Sequence, residues 1–502
     1  MKQTITVTEI SLSSGALRIR EKGSGCESAV SLQSVESSSL EYKGSSPYIV
    51  LHKRDCESLS LPGLSKKRAE ELHRDIQKAI EEHRQISVET YSLSDVREGL
   101  LKLMVEGDEK SEPAHVIQYL LTQAFHQRAS DVHLKPGREH CTVLYRVDGL
   151  LINVASLSPL FYEKTLACLK NMARLLSYKK SIPQDGRLSI TESGHDLDIR
   201  VALLPTLFGE RTVLRILSSK GMVPRLDELG FEGPSLSAYR QLISSPQGAI
   251  ILTGPAGCGK TTTIFSSLSE LAERYRESVN ISTIEDPIEY VVENFCQTQI
   301  NPAMGLTFAS GLRTLLRQDP NIILVGEIRD EETASIAMQA ALSGHLIFST
   351  VHSSHALGVF SRLVDMGVEP YLVSFAITSV LHQRLVRKLC PNCAREEEPS
   401  AEEKADFERH HITHRGILRA VGCQNCNGTG YSGRTGIFEL LSVTPELQDL
   451  LHRRASLSEM YTAARADGLV NLWEDGLVKV AQGITTFEEM ARICPRPLFE
   501  KS

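Results

Sequence analysis

Residues 254–261 read Gly-Pro-Ala-Gly-Cys-Gly-Lys-Thr and fit the pattern G-x-x-x-x-G-K-[ST] without a mismatch. A loop of this composition can turn successive backbone N–H groups inward around phosphate oxygens, and the helix that follows adds positive potential at its N-terminus. Lys260 would then reach the β- and γ-phosphates, and the Thr261 hydroxyl would bind Mg²⁺. Gly254, Pro255, Ala256, Gly257, Cys258, Gly259 and Thr262 complete the expected phosphate cradle. Cys258 has two readings: a small residue tolerated in the loop, or a thiol whose pKa is lowered by the helix N-terminus. The stretch implies binding of a nucleoside triphosphate.

Hydrolysis requires more than a phosphate loop. It needs one carboxylate to hold the metal and one to orient or deprotonate water, and both belong at the C-terminal ends of neighbouring strands. The apolar run 279–284 ends in Glu285-Asp286-Pro287-Ile288-Glu289, and the run 322–325 ends in Gly326-Glu327. Glu327 stands where a Walker B carboxylate is expected. A third apolar run, 346–350, is followed by Val351 and His352, a polar group that could sense the γ-phosphate or serve structure alone. Phosphoryl transfer also gains from arginines supplied by a neighbouring domain or subunit. The helical pattern of 308–318 places Arg313 and Arg317 four apart on one face, and the preceding domain offers Arg187, Arg200 and Arg211.

Of eleven cysteines, four form two C-x2-C pairs, Cys390/Cys393 and Cys423/Cys426, separated by 29 residues. Two such knuckles supply four thiolates to a tetrahedral Zn²⁺ and leave no open coordination position, so a zinc bound there would be structural. The other seven thiols are scattered, and no disulfide is expected of them.

These residues need a scaffold. From about 235 to 385 apolar strands (249–253, 279–284, 322–325, 346–350) alternate with helical segments, which implies a parallel sheet with crossover helices. Upstream, a helical pattern at 114–127 followed by strand-like runs at 132–134, 142–147, 188–190, 197–204 and 212–217 suggests an α+β domain. Residues 1–60 are serine-rich with short apolar pieces, suiting a small mixed domain or a partly flexible segment. Residues 64–84 carry a charged helical pattern, 106–113 look like a linker, and 440–495 are mostly helical in pattern.

Composition is that of an ordinary globular chain: 502 residues, 41% hydrophobic, 23% charged, with a net charge of −7. That acidic balance and a pI near 6.2 argue against a broad nucleic-acid footprint, so a nucleic-acid translocase with a zinc ribbon is disfavoured. No apolar stretch reaches membrane-spanning length, and the first fifteen residues lack the apolar core of a signal peptide, so a cytoplasmic location is expected.

Taken together, the segments RASDVHLKP (128–136), YRVDGLL (145–151), PQDGR (183–187), GERTVLRIL (209–217), the phosphate loop, TIEDPIEY (283–290), GLRTLLRQDPNIILVGEIRD (311–330), GHLIFSTVH (344–352), GRTGIFELL (433–441) and LWEDGLVKVAQGITTFEEM (472–490) resemble the secretion ATPases of bacterial type II secretion and type IV pilus assembly. The resemblance runs from about residue 114 to 493. It implies a RecA-like P-loop domain (231–385) preceded by an α+β domain that packs on nucleotide (96–230), a tetracysteine zinc-binding insertion (386–432) and a C-terminal helical region (433–502). Residues 1–95 would dock on an inner-membrane platform protein. It further implies ATP as substrate with Mg²⁺, a homo-hexamer, and peripheral membrane association through a partner. Glu285, Asp286 and Glu289 match the family's Asp box, Glu327 its catalytic base and His352 its His box; Arg187, Arg200, Arg211, Arg313 and Arg317 fall in matching arginine segments. After His352 the chain reads Ser-Ser-His-Ala, with His355 where the family commonly has an acid. The tetracysteine favours a secretion or assembly type over a pilus-retraction type, and type II secretion leads over pilus assembly.

Overall fold

The structure is a computed structural model that describes residues 113–192, 195–218 and 223–494, the backbone of seven short strands between Lys2 and Pro62, and single residues at 67, 69, 70, 73 and 96. The charged helix expected over 64–84 and the linker expected over 106–113 lie almost wholly outside these residues. The chain divides into two units, residues 1–91 and 92–502. In the first, β1 (Lys2–Thr4), β5 (Val35–Lys43), β6 (Ser46–Lys53) and β7 (Ser58–Pro62) form a four-stranded sheet in the order β1-β7-β6-β5. The strands β2 (Val7–Ser13), β3 (Ala16–Glu21) and β4 (Glu27–Ser31) form a three-stranded antiparallel sheet.

The second unit opens with the α+β domain. Helix α1 (Pro113–His126) is followed by β8 (Ala129–Pro136), β9 (Cys141–Val147), β10 (Leu150–Leu157), helix α2 (Pro159–Met172), β11 (Gln184–Glu192), β12 (His195–Thr206) and β13 (Gly209–Ser218). The six strands form an antiparallel sheet in the order β10-β9-β8-β13-β12-β11. Alternation assigns its two faces. Ile199, Val201 and Leu203 point inward and are buried with Leu120, Leu121, Leu166 and Leu169 of the two helices, whereas Arg200 points the other way and is exposed.

The domain that carries the phosphate loop contains a seven-stranded sheet in the order β16-β15-β17-β18-β14-β19-β22. Its members are β14 (Gly248–Thr253), β15 (Ile281–Glu285), β16 (Cys296–Gln299), β17 (Ile322–Val325), β18 (Leu346–Val351), β19 (Ile377–Leu389) and β22 (Tyr431–Ser442). All pairings are parallel except that of β22, which runs antiparallel to β19. The central strands are buried on both faces and are therefore mostly apolar. Ile250, Leu252, Ile322, Leu324 and Phe348 enter one core beneath α3 (Gly233–Ile243) and α4 (Lys260–Tyr275). Ala249, Ile251, Ile323, Val325 and Ile347 enter the other, beneath α5 (Phe308–Leu315), α6 (Glu331–Leu342), α7 (Gly358–Asp365) and α8 (Pro370–Ala376).

The four expected strands match β14, β15, β17 and β18 to within two residues. Two differences concern boundaries. Strand β19 runs through the expected break at 385/386, and residues 433–442, expected to open the helical region, belong to β22. The helices of the C-terminal region are α10 (Pro445–His452), α11 (Leu457–Ala466), α12 (Leu472–Ala481) and α13 (Phe487–Ile493). The cysteine segment, which holds β20 (Arg395–Glu397), helix α9 (Ala401–Arg409) and β21 (Ile417–Arg419), is thus a long connection between two adjacent sheet strands. Phe407 and Ile417 of that segment share a core with Val386, Ile437, Trp473 and Leu477.

One buried polar residue on β19 gives the fold a pH dependence. His382 is 1% exposed, its Nδ1 has no hydrogen-bond partner, and burial pulls its pKa down to about 3. A depressed histidine contributes stability above its unfolded pKa and loses it as pH falls from about 6.5 toward the folded value. Thermal unfolding between pH 7 and pH 4 should therefore lose less stability in His382→Gln than in wild type.

Candidate active site and metal centre

Strand β14 ends at Thr253, the loop spans 254–259, and α4 begins at Lys260. Gly254, Gly257 and Gly259 have φ of +140°, +73° and +91°, which L side chains rarely adopt. A Cβ on Gly254 would stand 2.4 Å from the Gln383 carbonyl oxygen, so the loop rests directly on β19. At Gly257 it would meet nothing within 4 Å, so this side of the loop is open to a ligand. Gln383 Nε2 donates to the Cys258 carbonyl at 2.8 Å and fixes the loop from beneath. The Lys260 ammonium curls back on the carbonyls of Gly254 and Pro255 at 2.8 and 3.0 Å. Cys258 is 4% exposed, and burial pushes its thiol pKa up against the opposing pull of Lys260. The structure therefore favours the reading of Cys258 as a small, inert loop residue.

Glu327 follows β17 after Gly326, and its backbone is tied on both sides. Gly326 N–H donates to Ile284 O at 2.8 Å, Ile328 N–H donates to Thr350 O at 3.0 Å, and Thr350 Oγ1 donates to Gly326 O at 2.9 Å. Its carboxylate touches the Arg329 guanidinium, and its Oε2 lies 4.0 Å from His352 Nε2. The parallel sheet thus brings Glu327 and His352 together.

Glu285 behaves differently from a solvent-facing acid. It is 4% exposed, and its Oε1 accepts from Thr283 Oγ1 at 2.7 Å and from Gln297 Nε2 at 3.1 Å. Burial raises its pKa, while these hydrogen bonds oppose the rise. Gln297 also donates to Tyr290 O and accepts from Val292 N–H, both at 2.8 Å, so the pair organises the loop that carries Asp286 and Glu289. Those two carboxylates are exposed. The Tyr290 hydroxyl lies 3.1 Å from Thr262 Oγ1, which joins this loop to α4.

Arg187 and Arg200 are directly opposite each other on β11 and β12, and Arg200 is opposite Arg215 on β13. Three guanidinium-bearing positions therefore form one row across the exposed face. Arg211 lies four residues before Arg215 on the same face, and Arg215 is anchored to Asp131 at 2.9 Å. Arg313 pairs with Glu332 at 2.5 Å. Helix α5 ends at Leu315, so Arg317 sits just beyond it, its Nη1 donating to Arg313 O at 3.1 Å. His355 turns its Nδ1 to the Gly358 N–H at 3.0 Å and so satisfies the start of α7. Sequence reasoning missed Arg215, Arg329, Gln297 and Gln383. Arg215 was findable, because residues four apart in a strand share a face.

The four paired cysteines converge. All four Sγ lie within 4.8 Å of one another, with Cys390–Cys423, Cys393–Cys426 and Cys423–Cys426 separations of 3.9, 3.8 and 3.7 Å. Thiolates about 2.3 Å from a tetrahedral zinc are separated by about 3.8 Å. Backbone N–H groups of Gly422, Cys423 and Gly430 point at the sulfurs at 3.1–3.3 Å. Burial works against ionisation of Cys426, but the N–H groups of Cys423 and Gly430, together with the Cys423 and Cys393 thiols, outweigh it and bring its pKa to about 6. The donor set and its spacing fit zinc.

A phosphate loop on a RecA-like sheet, with a strand-end glutamate and histidine beside it, defines a P-loop ATPase. The sequence matches the family described as "Type II/IV secretion system protein" over residues 106–492. It is 42% identical over 390 residues to the type II secretion system ATPase E of Vibrio cholerae, covering 78% of this chain and 77% of that protein. It is 41% identical over 384 residues to the type IV pilus assembly ATPase PilB of Thermus thermophilus, covering 76% of this chain and 43% of that protein. The Legionella pneumophila ATPase DotB shares the fold, with a TM-score of 0.57 at 22% identity over 77% of this chain and 97% of that one. The chain belongs to the type II/IV secretion system family.

Chelation, or the substitution Cys423→Ser, should release metal and unfold the 390–430 segment while nucleotide binding at the phosphate loop persists. Metal analysis beside limited proteolysis checks this, and a wild-type protein purified without zinc would refute the zinc assignment.

Proposed function

We propose that this chain is the ATP-hydrolysing motor of a type II secretion system, acting as a homo-hexamer that drives pseudopilus assembly and protein export. The carrying observation is Glu327, a carboxylate held at a strand end beside the phosphate loop and 4.0 Å from His352, in a chain 42% identical to a type II secretion ATPase. Type IV pilus assembly is the second reading, favoured by the similarity to PilB.

In this reading the backbone N–H groups of the loop cradle the phosphates. Lys260 leaves the Gly254 and Pro255 carbonyls for the β- and γ-phosphates. Mg²⁺ held by the Thr261 hydroxyl, near Asp286 and Glu289, would neutralise phosphate charge. Glu327 orients a water and takes its proton as the water oxygen attacks the γ-phosphorus. The bond to the β–γ bridging oxygen breaks, and ADP leaves with the electron pair. For Glu327 to act, Arg329 must release it. His352 senses the γ-phosphate, while Arg187, Arg200, Arg211, Arg313 and Arg317 supply positive charge where it builds up. Glu285 positions the Asp-box loop from behind.

Residues 1–95 would dock on a platform protein at the cytoplasmic face of the inner membrane. Among the described residues no helix is long and apolar enough to cross a membrane.

ATP turnover measured across protein concentrations, with mass determined in parallel, tests the reading. Turnover should rise with hexamer formation. Glu327→Ala should lose at least about 100-fold in kcat while still binding ATP, and Lys260→Ala should lose binding. Wild-type turnover by Glu327→Ala hexamers would overturn the assignment.

A further inference from the structure

Strand β22 touches the α+β domain and the segment after His352, and its neighbour β19 holds the phosphate loop. At its start, Gly433 N–H donates to Asp148 Oδ2 at 2.8 Å, and Arg434 Nε lies 3.5 Å from Asp148 Oδ1. Asp148 belongs to the α+β domain, 285 residues earlier in the chain. It forms the β9–β10 turn with Gly149, the two residues having φ of +47° and +85° between the paired Val147 and Leu150. That is the backbone demanded of a two-residue hairpin with Asp-Gly at its tip, so the carboxylate is held out at a fixed angle. A second tie runs parallel to it: Asn427, the residue after Cys426, donates to Gln127 Oε1 at 3.3 Å just beyond α1.

Further along β22 comes the stretch 223–232, which connects the two domains. Gly436 N–H donates to Leu229 O at 2.8 Å, and Phe438 stacks on Phe231 with ring centroids 3.7 Å apart. Next, Glu439 accepts from Ala356 N–H at 2.9 Å, four residues after His352. Across the ladder, Phe438 is opposite Gln383, whose side chain fixes the Cys258 carbonyl of the phosphate loop. One strand therefore joins the α+β domain, its connector and the His352 segment, and it reaches the phosphate loop through its ladder partner β19.

We propose that Asp148 is a positioning residue for ATP hydrolysis: its carboxylate clasps the α+β domain to β22 and so sets where the arginine face stands relative to the phosphate loop. This rests on the ATPase reading above. The clasp suits a part that must open and close, because it consists of one charge-assisted hydrogen bond and one loose ion pair at a partly exposed site. The arginines act on charge that develops during the reaction, so misplacing them should lower kcat more than it raises KM for ATP.

The test compares Asp148→Ala and Asp148→Asn in the full chain, with zinc content and mass measured for each. Asparagine keeps a side-chain oxygen for the Gly433 N–H; alanine does not. Asp148→Ala should lose hydrogen-exchange protection at Gly433 and at least about fivefold in kcat, with KM and zinc content unchanged. Asp148→Asn should recover the protection and most of the rate. Unchanged protection in Asp148→Ala, or lost protection with kcat within about twofold of wild type, overturns the proposal. Hexameric wild-type protein that hydrolyses no ATP overturns the ATPase reading itself, and Gly433 protection still reports whether the clasp exists.

Discussion

The parallel hydrogen-bond ladder β15–β17–β18–β14 is the constraint from which the site follows. Parallel strands finish on one edge of the sheet, so whatever follows their last residues is gathered there without any long-range recognition between the groups themselves. Val325 is in register with Ser349 and Ile284, and Leu252 with Thr350. Each strand is buried on both faces, so a slip would carry apolar side chains from one core to the other and leave ladder groups unpaired. Register is thereby fixed by burial, and the register delivers Glu327, His352 and the phosphate loop to each other.

Where function and burial agreed, the sequence was readable. The phosphate loop, the strands before it and before Glu327, the α+β domain and the cysteine quartet all appear where residue types and spacing put them. Strands β19 and β22 escaped notice because polar residues interrupt their buried apolar positions. His382, Gln383 and Arg387 on β19 and Thr435 and Glu439 on β22 are all at most 9% exposed. These residues serve neighbours: Gln383 holds Cys258, Glu439 holds Ala356, and Arg387 grips Glu489 on α13 at 2.7 Å. A hydrophobicity pattern loses its period where buried hydrogen-bonding side chains stand among the apolar ones. The partners of Glu285 and Glu327 were hidden for a related reason, since a single glutamine or arginine says nothing of where its side chain is used.

Glu285 and Glu327 are separated by environment. Glu285 and Glu327 both follow apolar strands, yet the first is sealed against Thr283 and Gln297 while the second reaches the open edge. Chemical identity made them alike in the sequence; solvent access separates them. The same distinction explains His352 and His355, three residues apart, one beside Glu327 and the other spent on the first turn of α7.

The tetracysteine segment has a consequence for the order in which the chain assembles. It lies between β19 and β22, so the last strand of the ATPase sheet must find its neighbour across the whole of residues 390–430. Closing a loop of that length costs conformational entropy before any ladder bond rewards it. A metal that draws Cys390 and Cys393 onto Cys423 and Cys426 brings the two strand ends together first, since Cys390 follows Leu389 directly and Tyr431 is only five residues past Cys426. Metal capture would then act as a checkpoint in biogenesis: a nascent chain starved of zinc would expose an unpaired β19 edge, and a polypeptide in that condition invites degradation before its fold is complete.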